Sequence, residues 1–326
     1  LIGSHLLYQL CLQDKPVKAT YRTKESLEKC RQLFELYSKE ARILFNKIQW
    51  VKADIIDIEA LQIHFDDVTE VYHSAALISF DPRDFSELMK TNQEGTANMV
   101  NLSVLNKVKK FCYVSSIAAL GQGKPNIPLD EETEWNPQHA TVYGISKFEA
   151  ELEVWRGTQE GLNVVVVNPG IVLGPGFWHS GSGLLFKLVA KQKAALLPSG
   201  TGFTSVNEVV DSMMGLMEST IVNERYILVN QNLSYATFLK KAAEYLKVAP
   251  PKKKLSTQLL DILWRLDWVN ANLFGKARNL TKKMVRGMQH PTEYEAKKSL
   301  EIPGFAYRNL EEEIKLCCEF YRQAHP

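Results

Sequence analysis

Short apolar runs alternate with longer amphipathic segments over the first 176 residues. The run Phe111–Val114 and the four valines Val164–Val167 contain no charged position, which is typical of strands buried on both faces. Further strand-like runs are Val17–Tyr21, Ile48–Val51 and Val68–His73. Segments with helical periodicity lie between these runs, at Ser4–Leu12, Lys24–Tyr37, Phe85–Leu105 and Val142–Gln159. The alternation predicts an α/β fold, a doubly wound parallel sheet with helices on both faces.

The regular alternation ends near residue 176, and the elements predicted beyond it are mostly helical. They are helices at Leu184–Lys193, Val206–Ser219 and Leu255–Phe274, and a last strand at Arg225–Val229. The amphipathic stretch Leu255–Phe274 could touch a membrane, but we expect its apolar stripe to pack on the main domain. We therefore predict a sheet domain over residues 1–176 plus 205–232, and a small, mostly helical C-terminal lobe over 177–204 plus 233–326.

Composition and charge exclude several classes of protein. With 326 residues and 45% hydrophobic content, the chain can form one large domain or a large and a small one. Net charge is only +2, and the short basic runs Lys252–Lys254 and Lys282-Lys283 lack interleaved aromatic residues, so we expect no nucleic-acid partner. No apolar run reaches the ~18 residues that span a bilayer. The five cysteines show no metal-ligand spacing, so we expect no metal site and a cytoplasmic protein with reduced thiols.

Tyr143 and Lys147 form the most informative pair in the chain. Residues four apart on a helix share a face, and a neighbouring ammonium lowers the pKa of a phenol, which suits it to general acid/base catalysis. A hydroxyl from Ser115-Ser116, at the end of a predicted strand, could hold a substrate oxygen nearby. Tyr294 and Lys298 have the same spacing but no such serine strand before them, and we interpret them as a solvated helix face.

Seven short motifs occur in the same order as in a known family. They are Gly3 before the first helix, Asp54-Ile55, His73-Ser74-Ala75-Ala76, Asn92–Thr96 (N-x-x-G-T), Ser115-Ser116 through Gly121, Asn168-Pro169-Gly170, and Arg225–Leu228. Through these motifs the chain resembles the extended short-chain dehydrogenase/reductases over nearly its whole length. The resemblance implies a Rossmann domain that binds a nicotinamide dinucleotide. It also implies a possible homodimer formed through the helices Phe85–Leu105 and Val142–Gln159.

The resemblance also assigns roles to individual residues. Catalysis would rest on Ser116, favoured over Ser115 by its spacing to Gly121, together with Tyr143 and Lys147. The implied cofactor-binding residues are Gly3, Asp54, Ile55, Ala75, Ala76, Tyr143, Lys147, Asn168, Pro169 and Gly170.

One feature departs from the family pattern. The first strand of the family and the first two glycines of its GxxGxxG turn have no counterpart before Gly3. We expect the sequence to be a fragment of a longer natural protein, short by about one strand of ~5–6 residues and the turn. A protein that truly began at Leu1 should bind dinucleotide poorly.

The choice of cofactor is predicted from charge. Dinucleotide folds place an acid after the second strand to hold a ribose hydroxyl, or an arginine to hold a 2′-phosphate. Here Arg22 and Lys24 follow the strand Val17–Tyr21 with no acid at its tip. NADP(H) is therefore more favoured than NAD(H), unless both cations are solvated loop residues offset by Glu25.

The reaction predicted is reduction of a ketone or aldehyde on a small, fairly apolar substrate. Ile117-Ala118 stand where dehydratases of the family carry an acidic pair, and the pattern resembles dihydroflavonol reductases, aldehyde reductases and 3β-hydroxysteroid dehydrogenases. The predicted pocket residues are Leu77, Phe80, Phe177 and Trp178, although ordinary packing between lobes explains them equally well. The alternatives are an NAD-dependent nucleotide-sugar epimerase or dehydratase and a non-catalytic NADP-binding regulatory protein.

Overall fold

The computed structural model describes residues 1–121, 127–275, 278, 280–288 and 291–325. Its strands are β1 (Val17–Tyr21), β2 (Ile48–Lys52), β3 (Glu70–His73), β4 (Lys110–Val114), β5 (Val164–Pro169), β6 (Ile171–Leu173), β7 (Gly200–Ser205), β8 (Glu224–Leu228) and β9 (Gln231–Ser234). Its helices are α1 (Ile2–Leu12), α2 (Lys24–Tyr37), α3 (Ala41–Asn46), α4 (Ile58–Gln62), α5 (Phe85–Leu88), α6 (Gly95–Leu105), α7 (Val142–Gln159), α8 (Gly183–Ala190), α9 (Val206–Glu218), α10 (Tyr235–Leu246), α11 (Thr257–Phe274), α12 (Lys282–Gly287) and α13 (Leu310–Ala324).

The main sheet has four parallel strands in the order β3-β4-β5-β8. Successive side chains of a strand point to opposite faces. On β4, Phe111 and Tyr113 accordingly pack in the core with α6 and α7, whereas Cys112 and Val114 pack with α1 and α9. The four valines of β5 divide between the same two cores. Helices therefore cover both faces, and the predicted doubly wound α/β fold is confirmed.

The first two strands form a separate parallel sheet. Val17 of β1 lies opposite Ile48 of β2, and the pairing continues to Tyr21 opposite Lys52. Among the described residues β1 pairs only with β2, and β3 pairs only with β4, so the parallel strands form two sheets and not one. The expected strand upstream of Leu1 stays a prediction.

The remaining elements build the smaller lobe. The strands β6, β7 and β9 form a mixed sheet, and α8, α10 and α13 pack together beside it around Phe186, Phe203 and Phe238. Ile302 and Phe305, which the predicted division assigns to the lobe, pack instead with α9 in a core of the main domain. The division into 1–176 plus 205–232 and 177–204 plus 233–326 remains a proposal.

The predicted helix Phe85–Leu105 is not continuous. A π-helical segment, Met89–Glu94, separates α5 from α6. Within it, the Asn92 side chain bonds both backbone groups of Leu77, with Oδ1 accepting from the amide at 2.7 Å and Nδ2 donating to the carbonyl at 2.9 Å. Insertions of this kind are frequent at functional sites, and periodicity alone does not reveal them.

The pair Tyr294 and Lys298 is not on a helix face, and that interpretation was wrong. Tyr294 lies in an extended segment that bridges to Leu129, and its amide donates to Asn232. Lys298 lies in a 3₁₀ turn, where its ammonium pairs with Glu224 at 2.5 Å. The extended backbone removes the shared face that the spacing of four would require.

The apolar stripe of α11 does not pack on the main domain as we expected. Of its eighteen residues only Leu260 and Ala271 are buried. Within the described residues, no helix is both long and apolar enough to cross a membrane.

Candidate active site

Helix α7 lies directly against the turn that carries Ser116. The helix begins after Thr141, whose hydroxyl accepts a hydrogen bond from the Gly144 amide at 3.0 Å. A β-carbon on Gly144 would lie 2.8 Å from the carbonyl oxygen of Ala118, in the turn that follows Ser116. The absence of a side chain at Gly144 therefore allows α7 to bring Tyr143 up to Ser116.

Ser116 and Tyr143 meet as predicted. Ser116 ends the segment after β4, and its hydroxyl accepts from the Ala118 amide at 3.1 Å. The Ser116 side chain lies close enough to the Tyr143 phenol to lower its pKa by hydrogen bonding. Ser115 points elsewhere, donating to the buried carboxylate of Glu151 at 2.6 Å. Ser115 is therefore occupied by Glu151, and the assignment of Ser116 as the catalytic serine stays a prediction.

The protonation of Tyr143 differs from the expectation. Burial raises the pKa of the phenol to about 12, and the hydrogen bond with Ser116 only partly opposes that rise. The prediction that Lys147 lowers this pKa is wrong for the protein in this structure, because the ammonium is engaged elsewhere and desolvation of the phenol is the largest effect. Phe80 packs edge-on to the Tyr143 ring, with 5.7 Å between centroids. The phenol therefore holds its proton at neutral pH.

Lys147 is almost fully buried, with 1% of its surface exposed. Its Nζ donates to the Tyr113 hydroxyl at 2.5 Å and to the Val114 carbonyl at 2.9 Å. Burial lowers the pKa of the ammonium to about 7, and the negative charge of Glu151 opposes the shift. Since an ammonium has three N–H donors, one remains for a further acceptor. A ribose hydroxyl of a dinucleotide fits that requirement.

A buried hydrogen-bonded chain that the sequence did not reveal supports Lys147. The Tyr113 hydroxyl is hydrogen-bonded to Thr96, and Thr96 bonds His73 Nε2 at 2.9 Å. The His73 ring stacks on Tyr113, with 5.6 Å between centroids. Burial and the Lys147 charge lower the pKa of His73 to about 3, so the imidazole is neutral. The sequence feature that could have pointed to this chain is Tyr113, whose phenol interrupts the apolar run Phe111–Val114.

Glu151 is the second feature that the sequence analysis missed. Besides Ser115, it accepts from Asn168 Nδ2 at 3.0 Å and lies 3.3 Å from the Arg225 guanidinium. Asn168 also donates to the Ser116 carbonyl at 3.2 Å. Through these contacts Glu151 links the segment after β4 to β5 and β8, next to Ser116. Its position one helical turn after Lys147 was the signal that could have identified it.

Two of the predicted cofactor elements lie close together at the amino end of α1. A β-carbon on Gly3 would come within 2.8 Å of Ser74 Oγ, so α1 begins against the loop that follows β3. In that loop, Ala75 and Ala76 are exposed. A helix amino terminus beside exposed small residues is the arrangement that accommodates a pyrophosphate.

The predicted residues for the adenosine half occupy the neighbouring strand ends. Arg22 after β1 lies 4.0 Å from Asp54 after β2, and both keep substantial exposure. Lys24 is exposed at the start of α2. Ile55 is buried against Gly95, where a β-carbon would lie 2.6 Å from the isoleucine side chain. The ends of β1 and β2 therefore present a cationic and an anionic group to the same exposed edge.

The segment Asn168-Pro169-Gly170 runs along the same edge of the main sheet. Pro169 lies opposite Leu228, and the Gly170 amide donates to the Leu228 carbonyl at 3.0 Å. A β-carbon on Gly170 would approach the Gly202 carbonyl oxygen to 2.4 Å, so only glycine fits this crossing of β5 and β7.

The predicted substrate residues divide into two groups. Phe80 contacts Tyr143, and Leu77 is fixed through Asn92 to α7. Phe177 is partly buried at the lobe, whereas Trp178 is buried there against Phe186 and Tyr321. Leu77 and Phe80 therefore flank the site, and the described contacts of Trp178 belong to the core of the lobe.

The described residues contain no group of three or more histidine, cysteine, aspartate or glutamate side chains placed to hold a metal ion. All five cysteines are free and buried.

Comparison with known proteins establishes the family. The profile described as the NAD dependent epimerase/dehydratase family matches residues 1–227. A Synechocystis protein, provisionally named a dihydroflavonol 4-reductase, is 23% identical over 325 residues, covering 96% of this chain and 89% of the relative. Cinnamoyl-CoA reductase 1 of Arabidopsis thaliana is 27% identical over 243 residues, covering 70% of this chain and 67% of the relative.

Solved structures give the same fold. The UDP-glucose 4-epimerase of Thermotoga maritima, determined with UDP-glucose, superposes with a TM-score of 0.77 at 19% identity, covering 100% of this chain and 97% of that one. Together with the profile match and the serine, tyrosine and lysine brought to one sheet edge, these similarities show that the chain belongs to the NAD dependent epimerase/dehydratase family of nucleotide-dependent oxidoreductases.

Proposed function

We propose that the protein reduces a ketone or aldehyde on a small, fairly apolar substrate with NADP(H), using Ser116, Tyr143 and Lys147. The observation that carries the proposal is the proximity of Ser116 to Tyr143, with Phe80 packed edge-on to the phenol and Lys147 buried one helical turn away. Two donors that converge on one point can stabilise the oxygen on which charge develops during carbonyl reduction.

Tyr143, Ser116 and Lys147 would each have a separate role in this reaction. When bound, the dinucleotide supplies the hydride. Tyr143, whose pKa of about 12 keeps it protonated at neutral pH, donates its proton to the developing alkoxide. Ser116 donates a hydrogen bond to the same oxygen, and the free donor of Lys147 holds the ribose.

The preference for NADP(H) is proposed from the end of β1. Arg22 is 62% exposed and its pairing with Asp54 is long, at 4.0 Å, so it can turn to a 2′-phosphate with Lys24 beside it.

The dissociation constants of NADPH and NADH measure the preference. Arg22→Ala should weaken NADPH binding by about 10-fold or more and leave NADH binding nearly unchanged. Arg42→Ala, at an exposed arginine of α3, is the control. Equal affinities for both dinucleotides in the unmodified protein would refute the preference.

An apolar substrate is proposed from Leu77 and Phe80, which lie on the loop facing Tyr143. The printed names of the relatives, a cinnamoyl-CoA reductase and a provisional dihydroflavonol 4-reductase, support a reductase acting on a carbonyl compound. The test follows NADPH oxidation with a panel of aromatic and aliphatic aldehydes and ketones, in the unmodified protein and in Ser116→Ala. Turnover that is undiminished in Ser116→Ala, or none with any carbonyl, would contradict the proposal.

A nucleotide-sugar epimerase is the second candidate, and the fold match to a UDP-glucose 4-epimerase supports it. Such a reaction returns the hydride to the substrate, so the dinucleotide shows no net oxidation. Interconversion of UDP-sugars without NADPH consumption would therefore select this candidate. A non-catalytic NADP-binding protein is the third candidate, which would bind dinucleotide with neither reaction.

A homodimer is proposed through α6 and α7. Leu105 on α6 and Leu152 on α7 are 65% and 45% exposed. Analytical ultracentrifugation of the unmodified protein and Leu152→Asp tests the proposal. A dimer that Leu152→Asp converts to monomer would support it, whereas a monomer throughout would contradict it.

A further inference from the structure

Helix α11 presents an apolar face that is exposed to solvent in the described part of the chain. The face is formed by five residues at alternating spacings of three and four, namely Leu259, Ile262, Leu266, Val269 and Leu273. Ile262, Leu266 and Leu273 are 56%, 58% and 72% exposed. Phe274, at the end of the helix, is 70% exposed. Apolar residues at this spacing form one continuous stripe along a helix.

The opposite face of α11 holds the helix on the protein. Leu260 and Ala271 are buried, and Asp267 lies 3.6 Å from the Arg278 guanidinium. The Arg278 amide in turn donates to Asp81 at 2.8 Å, next to Phe80 in the loop beside Tyr143. The apolar stripe is therefore directed outward by a helix that is fixed from behind, and it does not result from a detached segment.

The segment around α11 is strongly basic. Residues 251–288 contain nine lysines and arginines and two aspartates, a net charge of +7, whereas the rest of the chain carries −5 of the total of +2. Lys252, Lys253 and Lys254 are exposed immediately before the helix. Lys282 and Arg286 are exposed on α12, which packs against α11. The positive charge of the molecule is concentrated in the segment of sequence that contains the exposed apolar stripe.

We propose that α11 binds the surface of an anionic lipid bilayer, with its apolar stripe inserted at the level of the headgroups. A helix with one apolar face and basic flanks is the type that lies in a membrane interface, and anionic lipid attracts each nearby lysine or arginine. The same charges disfavour a second copy of the chain as the occupant, because two segments of net charge +7 would repel each other.

Vesicle co-sedimentation of the full chain tests the proposal. The vesicles are phosphatidylcholine alone, or phosphatidylcholine with roughly one third phosphatidylglycerol. We expect binding at least about 10-fold stronger to the anionic vesicles, weakening as salt is raised. Replacing Lys252, Lys253 and Lys254 by glutamine should lower the affinity on the order of 100-fold.

Two double variants separate the stripe from general surface hydrophobicity. Ile262→Asp with Leu266→Asp should abolish vesicle binding, because it places charges in the stripe. Ile43→Asp with Ile63→Asp should leave binding intact, since those residues are comparably exposed, at 62% and 70%, on α3 and in the turn after α4.

Three results would overturn the proposal. The first is no binding to anionic vesicles, and the second is equal binding to both kinds of vesicle. The third is an unmodified protein that binds no vesicles but forms an oligomer that the Ile262→Asp, Leu266→Asp variant loses. That third result would identify a second copy of the chain as the occupant of the stripe. The proposal is independent of the reaction assigned above. NADPH oxidation measured without vesicles should be unchanged in the stripe variant.

Discussion

At the scale of single residues, the main contacts of Lys147 are with the groups that hold its ammonium. Lys147 is not among the groups that shift the pKa of Tyr143. The ammonium bonds Tyr113 and Val114, and burial lowers its pKa to about 7. In the proposed mechanism the charged ammonium holds the ribose, so kcat/KM for reduction should fall as pH rises through that value. The spacing of Tyr143 and Lys147 identified both residues, but it could not show which groups surround each one.

Removing the Tyr113 hydroxyl tests this dependence. In Tyr113→Phe the ammonium loses an acceptor that favours its charged form, so its pKa should fall. The decline of kcat/KM with rising pH should therefore move to lower pH, and the free energy of unfolding should fall by about 1–2 kcal/mol. The measurements are the pH profile and a urea melt.

Tyr72→Phe is the matched control for Tyr113→Phe. The Tyr72 hydroxyl, on the neighbouring strand, is buried and has no hydrogen-bond partner among the residues that the structure describes. Its removal should leave the pH profile unchanged and the stability equal or slightly higher. A profile that shifts equally in both variants would show that Tyr113 has no particular connection to Lys147.

Glu151 provides the second prediction at the residue scale. Its carboxylate accepts from Ser115 and Asn168 and lies beside Arg225, so Glu151→Ala removes the acceptor of the buried Ser115 hydroxyl, one acceptor of Asn168 and the carboxylate that offsets the Arg225 charge. We expect a loss of about 3–5 kcal/mol in the free energy of unfolding. Glu151→Gln should lose less and should lower the Lys147 pKa further, because the charge that raises it is gone.

The same helix contains a control for the Glu151 variants. Glu149→Ala, at a partly exposed position, should change stability by no more than about 0.5 kcal/mol. If denaturant melts gave similar losses for Glu149→Ala and Glu151→Ala, the buried carboxylate would have no special structural role.

At the scale of elements, the approach of α7 to the turn after β4 decides whether the site exists. Gly144 allows this approach, because a β-carbon would lie 2.8 Å from a backbone oxygen of Ala118. Gly144→Ala should therefore push the helix away, lowering the unfolding free energy by about 1–3 kcal/mol. Carbonyl reduction should fall by at least about 10-fold, as a misplacement near 1 Å can cost more than that.

Gly157→Ala on the same helix is the comparison. There a β-carbon would meet the side chains of Val100 and Leu162, which can adjust, and alanine also favours the helix. We expect turnover to be retained in this variant. Steady-state rates that drop equally for both substitutions would contradict the argument from close packing.

The prediction of elements from sequence was accurate where burial alone determines the pattern. The boundaries of β1, α2 and α7 agree with the predicted ones, because apolar periodicity and polar flanks define those ends. The segment Phe85–Leu105 was predicted as one helix, since the π-helical segment depends on the distant contact between Asn92 and Leu77. Tyr294 was misassigned because spacing carries no information on backbone conformation.

At the scale of the whole molecule, the sequence predicted the doubly wound fold and the proximity of Ser116, in the segment after β4, to Tyr143 on α7. It did not predict the supporting chain of His73, Thr96 and Tyr113, because those residues come from three separate elements. It also misplaced the stripe of α11. Amphipathic periodicity shows that a helix has an apolar face, but not whether protein covers it.

The measurement that tests the central claim most directly is turnover and cofactor binding in Tyr143→Phe. The variant removes one hydroxyl and keeps the ring that packs on Phe80. We expect kcat for carbonyl reduction to fall by at least about 100-fold, because the proton donor is lost, while the NADPH dissociation constant changes little. Tyr245→Phe, at a phenol bonded to Glu311 on the lobe surface, should retain full turnover. A Tyr143→Phe variant that reduces the carbonyl at the unmodified rate would contradict the assignment of Tyr143 as the acid.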